Sequence, residues 1–211
     1  MEYYELVDGT WEVTAIGSGP VAYEFNVSLT VDPDGNPALT YYDTTNTALK
    51  YASRQDGTWS IETVDTDGDV GRYSSLAFDS IGNPHISYLR LDDTTTGTVR
   101  YATRTGDTWT TADVDSLTDL RTGFTGARRV TAVAPGPGDR PTVAYSDESV
   151  VKLATSDGSA WSPTTLVEAG DRPLGQLVSL QLSADGTPHL AIFEVTGESP
   201  LTGVVAYITA G

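Results

Sequence analysis

The chain has 211 residues, 12 Lys+Arg against 29 Asp+Glu and a formal charge of −17. That balance excludes a nucleic-acid partner, which relies on clustered basic side chains to neutralise phosphates, and the longest basic run is Arg128-Arg129. Apolar stretches are far shorter than the ~20 residues needed to cross a bilayer as a helix, which excludes membrane insertion. The absence of Cys removes disulfides, thiolate metal sites and a Cys nucleophile. The opening Met1-Glu2-Tyr3-Tyr4-Glu5 has neither the basic nor the apolar region of a secretory signal. Asp is abundant and Lys nearly absent, a surface suited to a halophilic, extracellular or surface-associated setting, where salt screens self-repulsion.

In chain order, the dominant pattern is an internal repeat. Trp11, Trp59, Trp109 and Trp161 recur at spacings of 48, 50 and 52. Each follows a polar turn: Asp8-Gly9-Thr10, Asp56-Gly57-Thr58, Gly106-Asp107-Thr108 and Asp157-Gly158-Ser159-Ala160. Eight residues before each Trp stands Tyr3, Tyr51, Tyr101 or Leu153, and Val205-Ala206-Tyr207-Ile208 is a further copy of that segment. Between these lie two more alternating segments per repeat, such as Tyr73 to Asp79 and Pro84 to Leu89, joined by Asp79-Ser80-Ile81-Gly82-Asn83-Pro84. Short β-branched and aromatic runs with period-2 alternation, bounded by Gly, Asn, Asp and Pro, predict antiparallel strands. Four strands in a period of about 50 residues predict the blades of a β-propeller. We label them a (Ser-Leu-Ala), b (Pro-His-Ile), c (Lys-Tyr-Ala) and d (Trp). The expected fold is all-β, a single propeller domain over 1–211 of about four blades of four antiparallel strands. Its repeats run 11–58, 59–108, 109–160 and 161–211, and 1–10 adds a surplus N-terminal strand and turn.

The run Gly68-Asp69-Val70-Gly71-Arg72-Tyr73-Ser74-Ser75-Leu76-Ala77-Phe78-Asp79 with Gly82-Asn83-Pro84-His85-Ile86-Ser87-Tyr88 resembles the tandem propeller repeats of uncharacterised bacterial and archaeal surface proteins. The turn Ser53-Arg54-Gln55-Asp56-Gly57-Thr58-Trp59 is similar to the Asp-box of sialidase-type propellers, one residue shorter. The resemblance spans nearly the whole chain and implies a fold more than an activity.

The strand tally leaves the ends open to two arrangements. The Trp11 strand can complete the last blade beside Ile208, closing a four-bladed ring with one c strand left over. Otherwise both ends stay incomplete, and an unpaired edge recruits another chain into a homo-oligomer.

Propeller geometry places the d-to-a and b-to-c loops on one face. The longest d-to-a loop, Asp115 to Arg129, makes Arg121, Phe124, Arg128 and Arg129 the first candidate contacts, and Arg72 with Tyr73 stands at the corresponding place one blade earlier. Arg offers bidentate recognition of carboxylates and Tyr a stacking face, so the expected partners are carbohydrate or protein subunits. Asp65, Asp67 and Asp69 alternate like a short calcium loop but lack the downstream Glu, so Ca2+ is the only cofactor with any sequence support, and Asx hydrogen bonding in a turn explains the same residues. His85 and His189 share one repeat position after Pro84 and Pro188 and read as structural. Asn26-Val27-Ser28 matches a glycosylation sequon but leads into a predicted inner strand.

A sialidase-like glycosidase needs convergent arginines and carboxylates at the axis. Arg72, Arg128 and Tyr73 form part of such a set, while the predicted inner strands carry no carboxylate in their interiors and only Glu24, Asp69 and Asp171 approach the right height. The expectation is therefore a non-catalytic β-propeller interaction module, lectin-like, that binds a glycan or protein through its loop face. The alternatives are an assembly component of a cell surface or virion completed by strand pairing between chains, and a sialidase-like glycosidase.

Overall fold

The computed structural model describes residues 1–17, 27–118, 120, 130–147, 149–168, 178–198 and 201–209, with the backbone alone at 194–198, 201 and 202. Its strands fall into five antiparallel sheets in chain order. Strands β1 (Glu2–Val7) and β2 (Thr10–Ala15) form a hairpin. Three four-stranded sheets follow: β3 (Ser28–Val31) to β6 (Thr58–Asp65) through β4 (Pro37–Asp43) and β5 (Ala48–Gln55); β7 (Asp69–Phe78) to β10 (Thr108–Leu117) through β8 (Pro84–Leu91) and β9 (Gly97–Thr105); and β11 (Thr131–Pro135) to β14 (Trp161–Glu168) through β12 (Pro141–Ser146) and β13 (Val150–Ser156). The last sheet has three strands, β15 (Val178–Leu182), β16 (Pro188–Glu198) and β17 (Leu201–Thr209). The C-terminal ends of β3, β7, β11 and β15 line one common cavity of about 380 Å³, so the a strands surround an axis and each sheet is a blade.

The turns form for the reasons visible in their residues. Asp8-Gly9 and Asp56-Gly57 both have two consecutive positive φ angles, 48 and 80°, and 50 and 78°. This two-residue hairpin geometry matches strand twist and selects Asp-Gly. In the a-to-b turns one carboxylate organises the backbone: Asp79 Oδ1 accepts from the amides of Ile81 at 3.0 Å and Asn83 at 2.7 Å. Asp32 does the same with Asp34 at 3.0 Å and Asn36 at 2.8 Å. Gly35, Gly82 and Gly186 stand at φ of 87 to 88° in their respective turns.

A blade alone exposes two apolar faces, so the core lies between blades. Leu49, Val99 and Val151 occupy one c-strand position and Ala52, Ala102 and Ala154 another, and all are fully buried; the alanines let neighbouring sheets approach closely. At the rim of the first three joints the c-strand Tyr of one blade meets the d-strand Trp of the next, edge to face. Tyr3–Trp59 and Tyr51–Trp109 have ring centroids 5.2 Å apart and Tyr101–Trp161 5.1 Å, with interplanar angles of 63 to 64°. Near the axis, hydroxyls link adjacent a strands. Ser28 Oγ accepts from the Leu76 amide at 3.0 Å and Ser75 Oγ from the Val133 amide at 3.3 Å, satisfying donors that no neighbouring strand reaches.

The two ends stay in separate sheets, each short of four strands. β2 pairs with β1 over six residue pairs, and β17 is the terminal strand of its sheet. A two-residue turn closes the β1–β2 pairing at small entropic cost, whereas pairing β2 with β17 closes a loop of most of the chain. The strand that seemed surplus is thus the partner of β2. The hairpin then packs as a half-blade, with Met1, Tyr3 and Ile16 against Leu39, Ala52 and Trp59.

His85 is buried, with Nδ1 2.6 Å from the Tyr101 hydroxyl and Nε2 3.5 Å from Asp79. Burial pushes the imidazole below its ordinary 6.5, outweighing the opposite pulls of Asp79 and Asp139. Burial raises the Asp79 carboxyl, but its bonds from Asn83 and Ile81 outweigh that and hold it below 3.8.

Trp109→Ala should cost about 3 kcal/mol, the low end for a large aromatic because the ring is half-buried, whereas exposed Trp11→Ala should cost under about 0.5 kcal/mol; urea unfolding checks both. Gly82→Val should cost about 1–2 kcal/mol because a branched residue must adopt a left-handed backbone there; an unchanged melting temperature would contradict this. For pH, a lowered His pKa means the unfolded chain binds the proton first, so stability falls as pH drops below 6.5. Asp79 stabilises above 3.8, and that contribution is lost as pH falls through its lower folded value. The urea midpoint should therefore decline in two legs on acidification, and His85→Gln should remove the upper leg alone; a variant keeping both legs would refute the assignment.

Candidate ligand-binding face

The loop face is best defined where β6 passes into β7. Gly71 has φ of 108°, and a Cβ there would fall 2.7 Å from the Leu49 Cα, so only glycine fits. Two register shifts, between Val70 and Arg72 and between Arg72 and Ser75, make this stretch a bulge. Within it Tyr73 takes a left-handed backbone at φ of 54°. Such bulges re-aim side chains.

The result is a tight polar group. Arg72 donates from Nε to Asp69 Oδ1 at 3.0 Å and from Nη2 to Oδ2 at 2.8 Å. Its guanidinium lies 4.7 Å over the Tyr42 ring, and the Tyr42 hydroxyl donates to Asp69 Oδ1 at 2.7 Å. Burial first, then the Asp69 bond, pushes the Tyr42 phenol up to about 12. Burial opposes the charge on Arg72, but the bonds to Asp69 outweigh it and raise its pKa. The Tyr73 carbonyl accepts from the Thr131 hydroxyl at 2.9 Å, and its ring packs on the core between the second and third complete blades. Arg72 and Tyr73 thus send their side chains to different neighbours, Arg72 to Asp69 and Tyr42 and Tyr73 to the core between the next two blades. Arg121, Phe124, Arg128 and Arg129 lie outside the described residues.

Asp65, Asp67 and Asp69 divide their roles. Asp65 is buried and accepts from the Tyr88 hydroxyl at 2.6 Å and from Arg100 Nη1 at 2.7 Å, and its Oδ1 caps the Asp67 amide at 2.9 Å in an Asx turn. Asp67 is exposed, 3.3 Å from Arg100 and 3.6 Å from Arg90. Asp69 serves Arg72 and Tyr42. Their oxygens are directed at cationic and hydroxyl donors. Among the described residues no three His, Cys, Asp or Glu side chains are grouped to hold a metal ion.

The Asp65 arrangement is a joint between blades that sequence reasoning missed. It recurs one blade on, where Asp115 accepts from the Tyr145 hydroxyl and from Lys152 Nζ, both at 2.7 Å. The signal was available as fixed offsets. The Asp stands six residues after Trp59 or Trp109, the Tyr four after Pro84 or Pro141, and the cation one before Tyr101 or Leu153.

At the opposite end of the axis, the cavity of about 380 Å³ is walled by Val31, Phe78, Pro135 and Leu182, with Thr30 and Gln181 as polar groups. The adjoining Asp32 is occupied by the Asp34 and Asn36 amides of its own turn. Of the described a-strand residues, only Asp69, at the start of β7, is a carboxylate. His85 and His189 sit in different sheets, each bonded to a tyrosine hydroxyl of its own blade. No helix among the described residues is long and apolar enough to cross a membrane.

No protein family model and no curated protein matches this sequence. Solved structures do. The α-L-arabinofuranosidase Arb93A of Fusarium graminearum, solved with an iminosugar inhibitor, is similar over 88% of this chain and 62% of its own, at 15% identity and a TM-score of 0.63. AofleA of Arthrobotrys oligospora is similar over 100% of this chain and 65% of its own, at 14% identity and 0.60. The Aleuria aurantia lectin, in complex with Fucα1-6GlcNAc, is similar over 97% and 69%, at 12% identity and 0.53. The chain thus spans less than two thirds of the length of the first two. At these identities the likeness is one of fold, and that fold is a β-propeller.

Proposed function

We propose that this chain is a non-catalytic, lectin-like propeller module that binds carbohydrate on its loop face beside Arg72 and Tyr73. The observation that carries this reading is the bulge in β7. A tyrosine held at φ of 54° beside an arginine fixed by both oxygens of Asp69 is backbone strain at the rim of the axis, and strained residues persist where surrounding structure over-determines them, most often at functional sites. A partly exposed planar guanidinium is suited to hydroxyl- and carboxylate-bearing rings. Arg121, Phe124, Arg128 and Arg129 would extend the same face.

Two further facts support the reading. The structurally similar proteins include a lectin solved with fucosides, and the arabinofuranosidase with its iminosugar inhibitor bears on the carbohydrate part of the reading alone. Hydrolysis by the usual route needs two carboxyl groups about 5–10 Å apart flanking the bond; of the three that the sequence offers, Asp69 is engaged with Arg72, and Glu24 and Asp171 lie outside the described residues.

The test is a glycan array that includes fucosides and arabinosides, followed by calorimetry on the best ligand. Arg72→Ala should weaken binding at least tenfold. Arg72→Lys, which keeps the charge but loses the fork, should recover only part of it. Binding unchanged in Arg72→Ala would place the site elsewhere, and turnover of nitrophenyl fucoside or arabinofuranoside would overturn the non-catalytic reading.

A further inference from the structure

Three of the four joints between successive sheets obey one rule: the c-strand Tyr of one receives the d-strand Trp of the next, and at the fourth Leu153 takes the Tyr position and the last sheet has no Trp strand. Tyr3 receives Trp59, Tyr51 receives Trp109 and Tyr101 receives Trp161. Two side chains are left over, one of each kind. Tyr207 occupies the c-strand position in β17 and is 65% exposed, and Trp11 occupies the d-strand position in β2 and is also 65% exposed.

The vacancy at Tyr207 is already built. In the third sheet, Tyr101 is held by a bond between its hydroxyl and His85 Nδ1, and Trp161 covers the ring. In the last sheet Tyr207 is held in the same way by His189 Nδ1, with its ring stacked on the imidazole. The register places Tyr207 opposite Ala191 and Val205 opposite Phe193, so these four residues share the outer face of the sheet, turned from Ala206 and Ile208 in the core. Val205 is 74% exposed.

Trp11 sits on a matching face. In the first two complete blades the Trp lies beside its cross-strand partner, Arg54 for Trp59 and Arg104 for Trp109, and that arginine covers the Tyr of the preceding blade; in the third, Trp161 pairs with Ser156. The partner of Trp11 is Leu6, and Tyr4 pairs with Val13 on the same side. All four are exposed. The hairpin therefore carries an unpartnered apolar face at the position where every other blade packs on its predecessor.

We propose that a second copy of this chain occupies each vacancy, with Trp11 of one copy packed on Tyr207 of the next, so that the row of blades continues from chain to chain. The occupant is argued from continuity: the same Tyr–Trp joint, with the same handed order of blades, already occurs three times within the chain. The two faces differ, so the contact is head-to-tail and propagates into a ring or filament, unlike a two-fold dimer. Large aromatic anchors of this kind commonly dominate interface energy. The charge of −17 on each copy opposes association, so salt should favour it. This inference is independent of the carbohydrate reading, since neither face includes Arg72 or Tyr73.

The test is the mass of the 211-residue chain by light scattering over a concentration series at 0.15 and at 1 M NaCl (roughly 8 and 3 Å screening lengths). The wild type should form species above 22.4 kDa that grow with concentration and salt. Trp11→Glu and Tyr207→Glu should each stay monomeric alone. Mixed in equal amounts they should form a dimer and nothing larger, because each variant supplies the face the other lacks. Urea midpoints on the monomeric variants check that both fold; if either is lowered, Trp11→Ser and Tyr207→Ser replace them. A wild type that is monomeric throughout, an oligomer that survives both substitutions, or a mixture that stays monomeric would each overturn the proposal.

Discussion

Everything in this molecule depends on the contact between one blade and the next. A twisted sheet of three or four short strands has too little apolar area to stand alone and presents two faces, so stability comes from stacking. The three complete blades meet that constraint with one recipe, a buried Leu or Val and a buried Ala from strand c, and three of the four joints add a Tyr–Trp contact at the rim. The alanine sets the approach of the sheets, and the aromatic pair seals the edge that the alanine leaves open. Turn chemistry is subordinate to this recipe, since its role is to return each strand in register so that the same side chains reach the same joint.

Polar groups reinforce some joints and not others, which grades the array. At the joint between the first and second complete blades, Asp65 binds Tyr88 and Arg100; at the next, Asp115 binds Tyr145 and Lys152. A carboxylate taken out of water is tolerable there because a cation and a hydroxyl satisfy it together. At the two outer joints the pattern lapses. Gly17 stands where the Asp would come from the first hairpin, and in the last sheet Ile192 and Ala206 replace the Tyr and the cation, leaving a contact made of Val178, Leu180, Leu190 and Ile192. The central joints therefore carry a buried carboxylate that the outer ones lack, while the first joint keeps a more exposed ion pair, Arg54 with Glu5 at 2.6 Å.

Much of this was legible in the sequence because it repeats. Period, strand order and the places of the turns follow from local rules that act within ten residues, and repetition averages out their exceptions. The cluster at Arg72 was legible in part. Its residue types stand out, but the bulge that assembles them depends on Gly71 meeting the Leu49 backbone in a neighbouring blade, a contact no local pattern announces. Asp65 was misleading for a related reason. Alternating carboxylates read as a cation loop or an Asx turn, and the Asx bond to Asp67 is present, yet the larger role of Asp65 is set by Tyr88 and Arg100, 23 and 35 residues away. Its equivalence to Asp115 is visible only once the repeat is aligned on the Trp.

The ends were the least legible part, since the sequence offers β2 two equivalent c-strand partners. Local closure decides in favour of β1, and that choice has a structural consequence. By taking β1, the hairpin keeps its own Tyr3 for Trp59 and fills the first joint completely, which leaves Tyr207 held by His189 and without a Trp. Had β2 joined β17 instead, Tyr207 would have stood beside Trp11 in one sheet, in the place Tyr3 now has. The exposed faces at the two ends are thus a single choice seen twice: the entropy that favours a two-residue turn transfers the unmet apolar demand from the first joint to the outer face of the last blade.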